Sequence, residues 1–279
     1  MKPLPRLDVV PLFPAERHAL LSLLSSLTPE QWALPTVCEG WCVKDIASHL
    51  IGDDIGRLAW QRDAHSATRF EPKNADKFEA ELGSFIIRQN EEWVAATRRL
   101  STRMIIDLLG WSGGETQALF ESLDPDAMGL GVSWAGESES ANWFDLAREY
   151  TERWHHQAQI REAVGAPMLY ETHLFMPVID AMIRAVPHSL RGVHSPEGTQ
   201  LVIEVTGDDP RRFTVRRESR WALYVDADGE PESSVAMDGD TAWRLLTRNI
   251  SRAEIVRRCQ IRGDASLTNA AFDAFALVA

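Results

Sequence analysis

Glu152 and His156 stand four residues apart in the run Glu152-Arg153-Trp154-His155-His156, and His49 lies far upstream. On a helix that spacing puts a carboxylate and an imidazole on one face, about one turn from each other. At that separation both can reach one divalent cation. A third donor from His49 would complete a set of two histidines and one glutamate. Such a set leaves a coordination position open, as catalytic zinc sites do and structural ones do not. The same donors select weakly among first-row metals, so nickel or iron also fits.

The elements that must carry these residues are mostly helical. Leu20, Leu23, Leu24 and Leu27 mark a first amphipathic helix, and Thr28-Pro29-Glu30-Gln31 carries the signals of a fresh helix start. A long helix opening at Val43 has Ile46, Ala47, Leu50, Ile51 and Leu58 on its apolar arc. His49 falls outside that arc with Gly52, Asp53 and Gly56, a strip where a histidine ordinarily faces solvent. The two glycines are expected to clear space beside it. A third helical region runs from about Ala75 to Leu100. Ser101 caps a continuation to Leu123, and Gly113-Gly114 predicts a kink or break within it. Gly131 to Gly136, with Trp134, reads as a short extended piece.

The fourth long helix spans Ala141 to Val164 and stops at Gly165. Its core seam is Trp143, Leu146, Ala147, Tyr150 and Trp154, which leaves Glu152, His155, His156 and Gln159 on the opposite side. A polar face opposite a core is usually solvated, so a cation site needs a cover there. A fifth helix, Thr172 to Val186 and ended by Pro187, is one candidate. Beyond a loop the period changes to that of strands: Leu201–Val205, Phe213–Val215, Trp221–Val225, Ser234–Met237 and a short piece at Ile261. The turn Gly207-Asp208-Asp209-Pro210 joins the first two, and helices fall at Thr241–Thr247, Ser251–Arg258 and Ser266–Val278. The expected architecture is therefore a helical bundle over residues 1–190 and a small α+β domain over 191–279.

Composition narrows the partners. A net charge of −12 over 279 residues argues against nucleic acid and anionic membranes, which need a basic face. No run approaches eighteen uncharged apolar residues and the N-terminus lacks a signal-peptide pattern, so a soluble cytoplasmic protein, monomeric or weakly dimeric, is expected. The cysteines, Cys38, Cys42 and Cys259, match neither a zinc knuckle nor a redox pair and read as free thiols.

Pro35-Thr36-Val37-Cys38-Glu39-Gly40-Trp41, followed by Val43, Asp45 and His49-Leu50, resembles the first signature of the mycothiol-dependent maleylpyruvate isomerase family, a branch of the DinB-like metal-binding four-helix bundles. Glu152-Arg153-Trp154-His155-His156 resembles its second. Asp240-Thr241-Ala242-Trp243-Arg244-Leu245-Leu246 and Ile261-Arg262-Gly263-Asp264 are similar to its sterol-carrier-like C-terminal domain. The resemblance implies His49, Glu152 and His156 as ligands of zinc or another divalent metal, and a site at the junction of bundle and C-terminal domain. It assigns no ligand role to His155. One departure is Cys42, which stands where a hydroxyl N-cap is expected and weakens that helix start by about 1 kcal/mol.

The resemblance also implies a reaction and its partners. The partners are a low-molecular-weight thiol (mycothiol, or ergothioneine or bacillithiol in its place) and a small enoyl diacid. Reversible addition of a thiolate makes the double bond single, rotation follows, and elimination restores the trans alkene. A dicarboxylate needs fixed positive charge, and arginine supplies it in bidentate form. Arg211, Arg212, Arg216, Arg217 and Arg220 cluster on a predicted hairpin, with Arg216 and Arg217 the candidates for substrate contact. Asp53, one turn after His49, is a candidate proton acceptor or partner of the metal ligands. Two other functions suit the same residues: a thiol S-transferase that conjugates without eliminating, and a non-enzymatic metal- or small-molecule-binding protein.

Overall fold

The computed structural model describes residues 1–65, 70–71, 73–74, 78–226 and 228–276. In chain order the elements begin with α1 (Phe13–Ser26), α2 (Pro29–Trp32), α3 (Val43–Arg57), α4 (Phe78–Thr97) and α5 (Thr102–Ser122). A two-stranded ribbon, β1 (Met128–Leu130) and β2 (Glu139–Ala141), leads into α6 (Asn142–Val164). Then come α7 (Thr172–Met182), α8 (Val186–Ser189), β3 (Gln200–Thr206), β4 (Arg211–Arg217), β5 (Trp221–Tyr224) and β6 (Ser233–Asp238). The chain continues through α9 (Gly239–Leu246), α10 (Arg252–Arg258), β7 (Gln260–Gly263) and α11 (Ala265–Phe272). Among the described residues no helix is long and apolar enough to cross a membrane.

Two compact units result. The helical one comprises Asp8–Ala127 and Glu149–Tyr170, and the other Met1–Leu7, Met128–Arg148 and Glu171–Leu277. The architecture is the expected pair of a helical bundle and an α+β unit, but the division is not a single cut at 190. The sheet-bearing unit also takes the ribbon and the N-terminus, because residues 2–4 bond to the edge of β5: Val225 N–H donates to the Lys2 carbonyl at 3.0 Å and Lys2 N–H to Asp226 at 2.8 Å.

The helical unit is built by the expected apolar stripes. Leu20, Leu24, Trp32, Ile46, Leu50, Ile51, Ile105, Leu109 and Ile160 form one buried cluster drawn from α1, α2, α3, α5 and α6. Its helix ends carry the predicted caps. Thr28 and Gln31 form a reciprocal capping box, and the Ser101 hydroxyl accepts from Met104 N–H at 3.2 Å. At Cys42 the missing hydroxyl is compensated from the other side: Asp45 accepts from the Cys42 N–H at 3.1 Å, and Arg98 pairs with Asp45 at 3.1 Å. Gly165 ends α6 with φ +68°, a left-handed backbone that glycine adopts without a Cβ penalty.

Several expectations need correction. Gly113-Gly114 does not break α5, which runs through both; a Cβ on Gly113 would lie 3.1 Å from the buried Arg17 side chain, so the glycine makes room for it. Trp134 sits in a short 3-10 turn between β1 and β2 rather than in a strand. Pro187 does not end a helix but lies in the first turn of α8, where its missing N–H costs no bond. The start expected near Ala75 and the end expected at Val278 lie outside the described residues; α4 is described from Phe78, and α11 ends at Phe272.

In the other unit the sheet order is β5-β4-β3-β6-β7, parallel only between β3 and β6. Every strand read from sequence beyond residue 200 is present. α9 packs on β3 and β6, and α11 on β6.

Candidate metal centre in the helical unit

Within the helical unit α3 and α6 face each other through two i,i+4 pairs of opposite order. α3 contributes His49 and Asp53, and α6 contributes Glu152 and His156. Nε2 of His49 lies 3.1 Å from Nε2 of His156 and 3.3 Å from Oδ2 of Asp53, while Nε2 of His156 lies 3.7 Å from Oε2 of Glu152. His49 is therefore not solvent-facing: it is 6 % exposed, its ring 5.2 Å from that of Trp41. The face of α6 opposite the core seam is not solvated either. His155 and Gln159 are buried and His156 is mostly so, with His49 of α3 set against the His156 ring.

These separations bear on whether a cation fits. Two donors bound to one tetrahedral zinc at 2.0–2.2 Å are about 3.3–3.6 Å apart. The His49–His156 and His49–Asp53 distances are close to that edge, and Glu152 is a few tenths of an ångström longer. Among the described residues no three His, Cys, Asp or Glu side chains are grouped so as to hold a metal ion. The contacts run instead as a chain, Asp53–His49–His156–Glu152. The donor types suit a cation, but the spacing as it stands does not enclose one: the two rings would have to part and a carboxylate to swing in. Burial holds both imidazoles neutral, as ligation requires: desolvation moves His49 and His156 down to about 4, aided by Arg153 for His49 and by the facing ring for His156. Desolvation raises the Asp53 carboxyl above its usual range, and its 30 % exposed side chain limits the rise.

Three supporting features escaped the sequence reading. The Gln159 side chain joins His156 Nδ1 and His155 Nε2, each at 2.8 Å. Its signal was present, since Gln159 shares the His156 face of α6, but nothing in its type marked it. Next, Arg153 is 2 % exposed and pairs at 2.7 Å with both Asp54 and Glu149, its guanidinium lying over Phe13 and Phe120. Asp54 also takes Arg17 at 2.9 Å and the Ser112 hydroxyl at 2.6 Å. Asp54 adjoins Asp53 and Arg153 adjoins Glu152, so this ion cluster ties α3 to α6 directly behind the donors.

The third is Trp93, which corrects the role expected of the glycines. A Cβ on Gly52 would lie 2.8 Å from the Trp93 ring, whose Nε1–H donates to the Ser48 carbonyl at 2.8 Å; around Gly56 nothing lies within 4 Å. Gly52 thus clears space for tryptophan rather than for the histidine. Two substitutions on one helix should therefore act in opposite directions. Gly56→Ala is expected to raise unfolding stability by up to about 1 kcal/mol. Gly52→Ala should lower it by about 1–3 kcal/mol, since a packed ring must move. Denaturant titration of the two variants reads the difference.

Arg216 and Arg217 lie on β4 in the sheet-bearing unit. Arg216 reaches Asp228 at 3.8 Å and the Met1 sulfur at 3.1 Å, and Arg217 bonds the Glu218 carbonyl. Of their neighbours, Arg211 pairs with Asp180 at 3.7 Å and Arg212 with Glu204 at 3.5 Å. Cys38, Cys42 and Cys259 are free, half-buried thiols.

A helical bundle holding two facing imidazoles and two carboxylates, continued by an α+β unit, defines a class of protein built around a candidate cation site. The family model described as the mycothiol maleylpyruvate isomerase N-terminal domain matches residues 13–161, more than half of the chain, and the protein belongs to that family. Two solved structures, the mycothiol-dependent maleylpyruvate isomerase and a histidine-to-alanine mutant of it, are similar over 95 % of this chain and 98 % of theirs, each with TM-score 0.56 and 13 % identity. At that identity the likeness bears on the fold. No curated protein sequence matches the chain.

Proposed function

We propose that the protein is a metal- and thiol-dependent cis–trans isomerase of maleylpyruvate or a related enoyl diacid. The observation that carries this reading is the meeting of His49 and His156 at 3.1 Å between two carboxylates, inside the region matched by an isomerase-family model. His49, His156 and Glu152 would hold the cation, with Asp53 beside them. Zinc, when bound, supplies positive charge that lowers the pKa of a thiol and polarises a carbonyl oxygen.

The remaining tasks fall to the chain. Buried neutral imidazoles keep their lone pairs at neutral pH. Asp53, with its raised carboxyl, is assigned to take the proton of an incoming thiol. The thiolate sulfur adds to one alkene carbon, and the electron pair moves onto the adjacent carbonyl. The former double bond rotates, and the reverse step expels the thiolate as the trans alkene forms. Arg216 and Arg217 are assigned to the substrate carboxylates, for which arginine provides paired donors.

The test uses purified protein, zinc-loaded and zinc-stripped, with maleylpyruvate and a panel of mycothiol, ergothioneine and bacillithiol. Fumarylpyruvate should form only when both metal and a thiol are present. A stable thioether product would instead make the protein a transferase, and bound metal without turnover would make it a binding protein. Arg216→Ala and Arg217→Ala should raise KM more than they lower kcat, since they remove binding to groups that do not react. Unchanged KM in both variants would remove these arginines from the reading.

A further inference from the structure

We propose that Gln159 is a positioning residue: its amide, held by His155, fixes His156 in the tautomer whose Nε2 lone pair faces His49. The proposal deepens the reading that a cation binds there and rests on it for its consequence. The amide lies between consecutive histidines, one turn further along α6. Its oxygen only accepts and its NH2 only donates. With Oε1 at 2.8 Å from Nδ1 of His156, the ring proton sits on Nδ1 and Nε2 keeps its lone pair. The reversed amide would place that proton on Nε2, where a cation must bind.

The amide's direction is therefore decisive. Nε2 of Gln159 lies 2.8 Å from Nε2 of His155, so the NH2 group turns toward that ring and the oxygen toward His156. Gln159 is 6 % exposed and His155 4 %, so little water is at hand to substitute for either bond. The division of labour between the paired histidines follows: His155 holds the amide, and His156 presents its nitrogen.

The experiment compares wild type, Gln159→Leu and Gln159→Glu by 15N-resolved histidine NMR of the metal-free protein and by zinc titration against a chromophoric chelator. Wild type should show His156 protonated on Nδ1. Gln159→Leu, similar in size but without polar atoms, should lose that preference and bind zinc about 10–100-fold more weakly, the usual cost of losing an outer partner of a ligand. Gln159→Glu keeps an acceptor for His156 but cannot donate to His155. It should keep His156 protonated on Nδ1 and zinc affinity at or above the wild-type value, while the His155 signals move. A His156 tautomer unchanged in Gln159→Leu would overturn the proposal. So would loss of the Nδ1 tautomer in Gln159→Glu, a result that serves even where the leucine variant does not fold. Wild type that shows the Nδ1 tautomer yet binds no zinc would sink the metal reading and leave the positioning role standing.

Discussion

His156→Ala should purify without stoichiometric metal and lose thiol-dependent turnover, and His49→Ala should do the same. Each removes a nitrogen from a set of donors in which no replacement imidazole is poised. His155, the nearest other histidine, has its Nε2 committed to Gln159. The loss should exceed the roughly 100-fold that removing an outer partner costs, since a ligand itself is gone. Glu152→Gln should be milder than either, because Asp53 lies 3.3 Å from His49 and offers a second carboxylate. Metal analysis by mass spectrometry, with a calorimetric zinc titration of each variant, reads the order. Equal metal content in wild type and both histidine variants would refute it. The variants should also stay folded, since deleting either ring relieves the packing of two buried imidazoles and strands no charge.

Arg153→Met is expected to be the most destabilising single change in the helical unit, by about 3–5 kcal/mol. That is the cost of removing one partner from a buried ion cluster, in which Arg17 at Asp54 and Arg57 at Glu149 replace it only in part. Glu149 and Asp54 both lie within 2.7 Å of the guanidinium. A control is available in Arg98, 52 % exposed on its side chain and paired with Asp45; Arg98→Ala should cost no more than about 1 kcal/mol. The pH dependence carries a definite sign. Desolvation alone would raise Asp54, but Arg17 and Arg153 hold it below its usual value. A carboxyl depressed in the folded state contributes its full stability above the unfolded value of about 3.9 and loses it as pH falls through the folded value. The wild type should therefore lose stability on acidification more steeply than Arg153→Met. Chemical denaturation at neutral and acid pH measures both effects, and a wild-type-like midpoint for Arg153→Met would contradict them.

What the sequence disclosed, and what it hid, follows from the range of each signal. Caps and apolar stripes are local, so Thr28 with Gln31, Ser101, and the arc from Val43 to Leu58 could be read from neighbours a few residues away. The strands of the α+β unit were equally visible, because their period differs from that of the helices before them. Burial of a polar face is not local. The wheel of α6 places His155, His156 and Gln159 opposite the core seam, and the cover of His156 by His49 comes from another helix, α3. Arg153 is a stronger case, since a lone arginine in a helix reads as surface, and its burial depends on Asp54, ninety-nine positions away. Glycine was misread for the same reason. Gly52 and Gly113 answer to Trp93 and Arg17, side chains from other helices. The three expected ligands came from one spacing and a family resemblance; Asp53 joined the donors themselves only when α3 and α6 were set face to face.

An anomalous-difference map recorded at the zinc edge from zinc-loaded crystals tests the shared-cation reading most directly. One peak is expected, about 2.0–2.2 Å from Nε2 of both His49 and His156 and bonded to at least one carboxylate oxygen of Glu152 or Asp53. A map with no peak between the two rings, or with its zinc bound elsewhere on the chain, would contradict it.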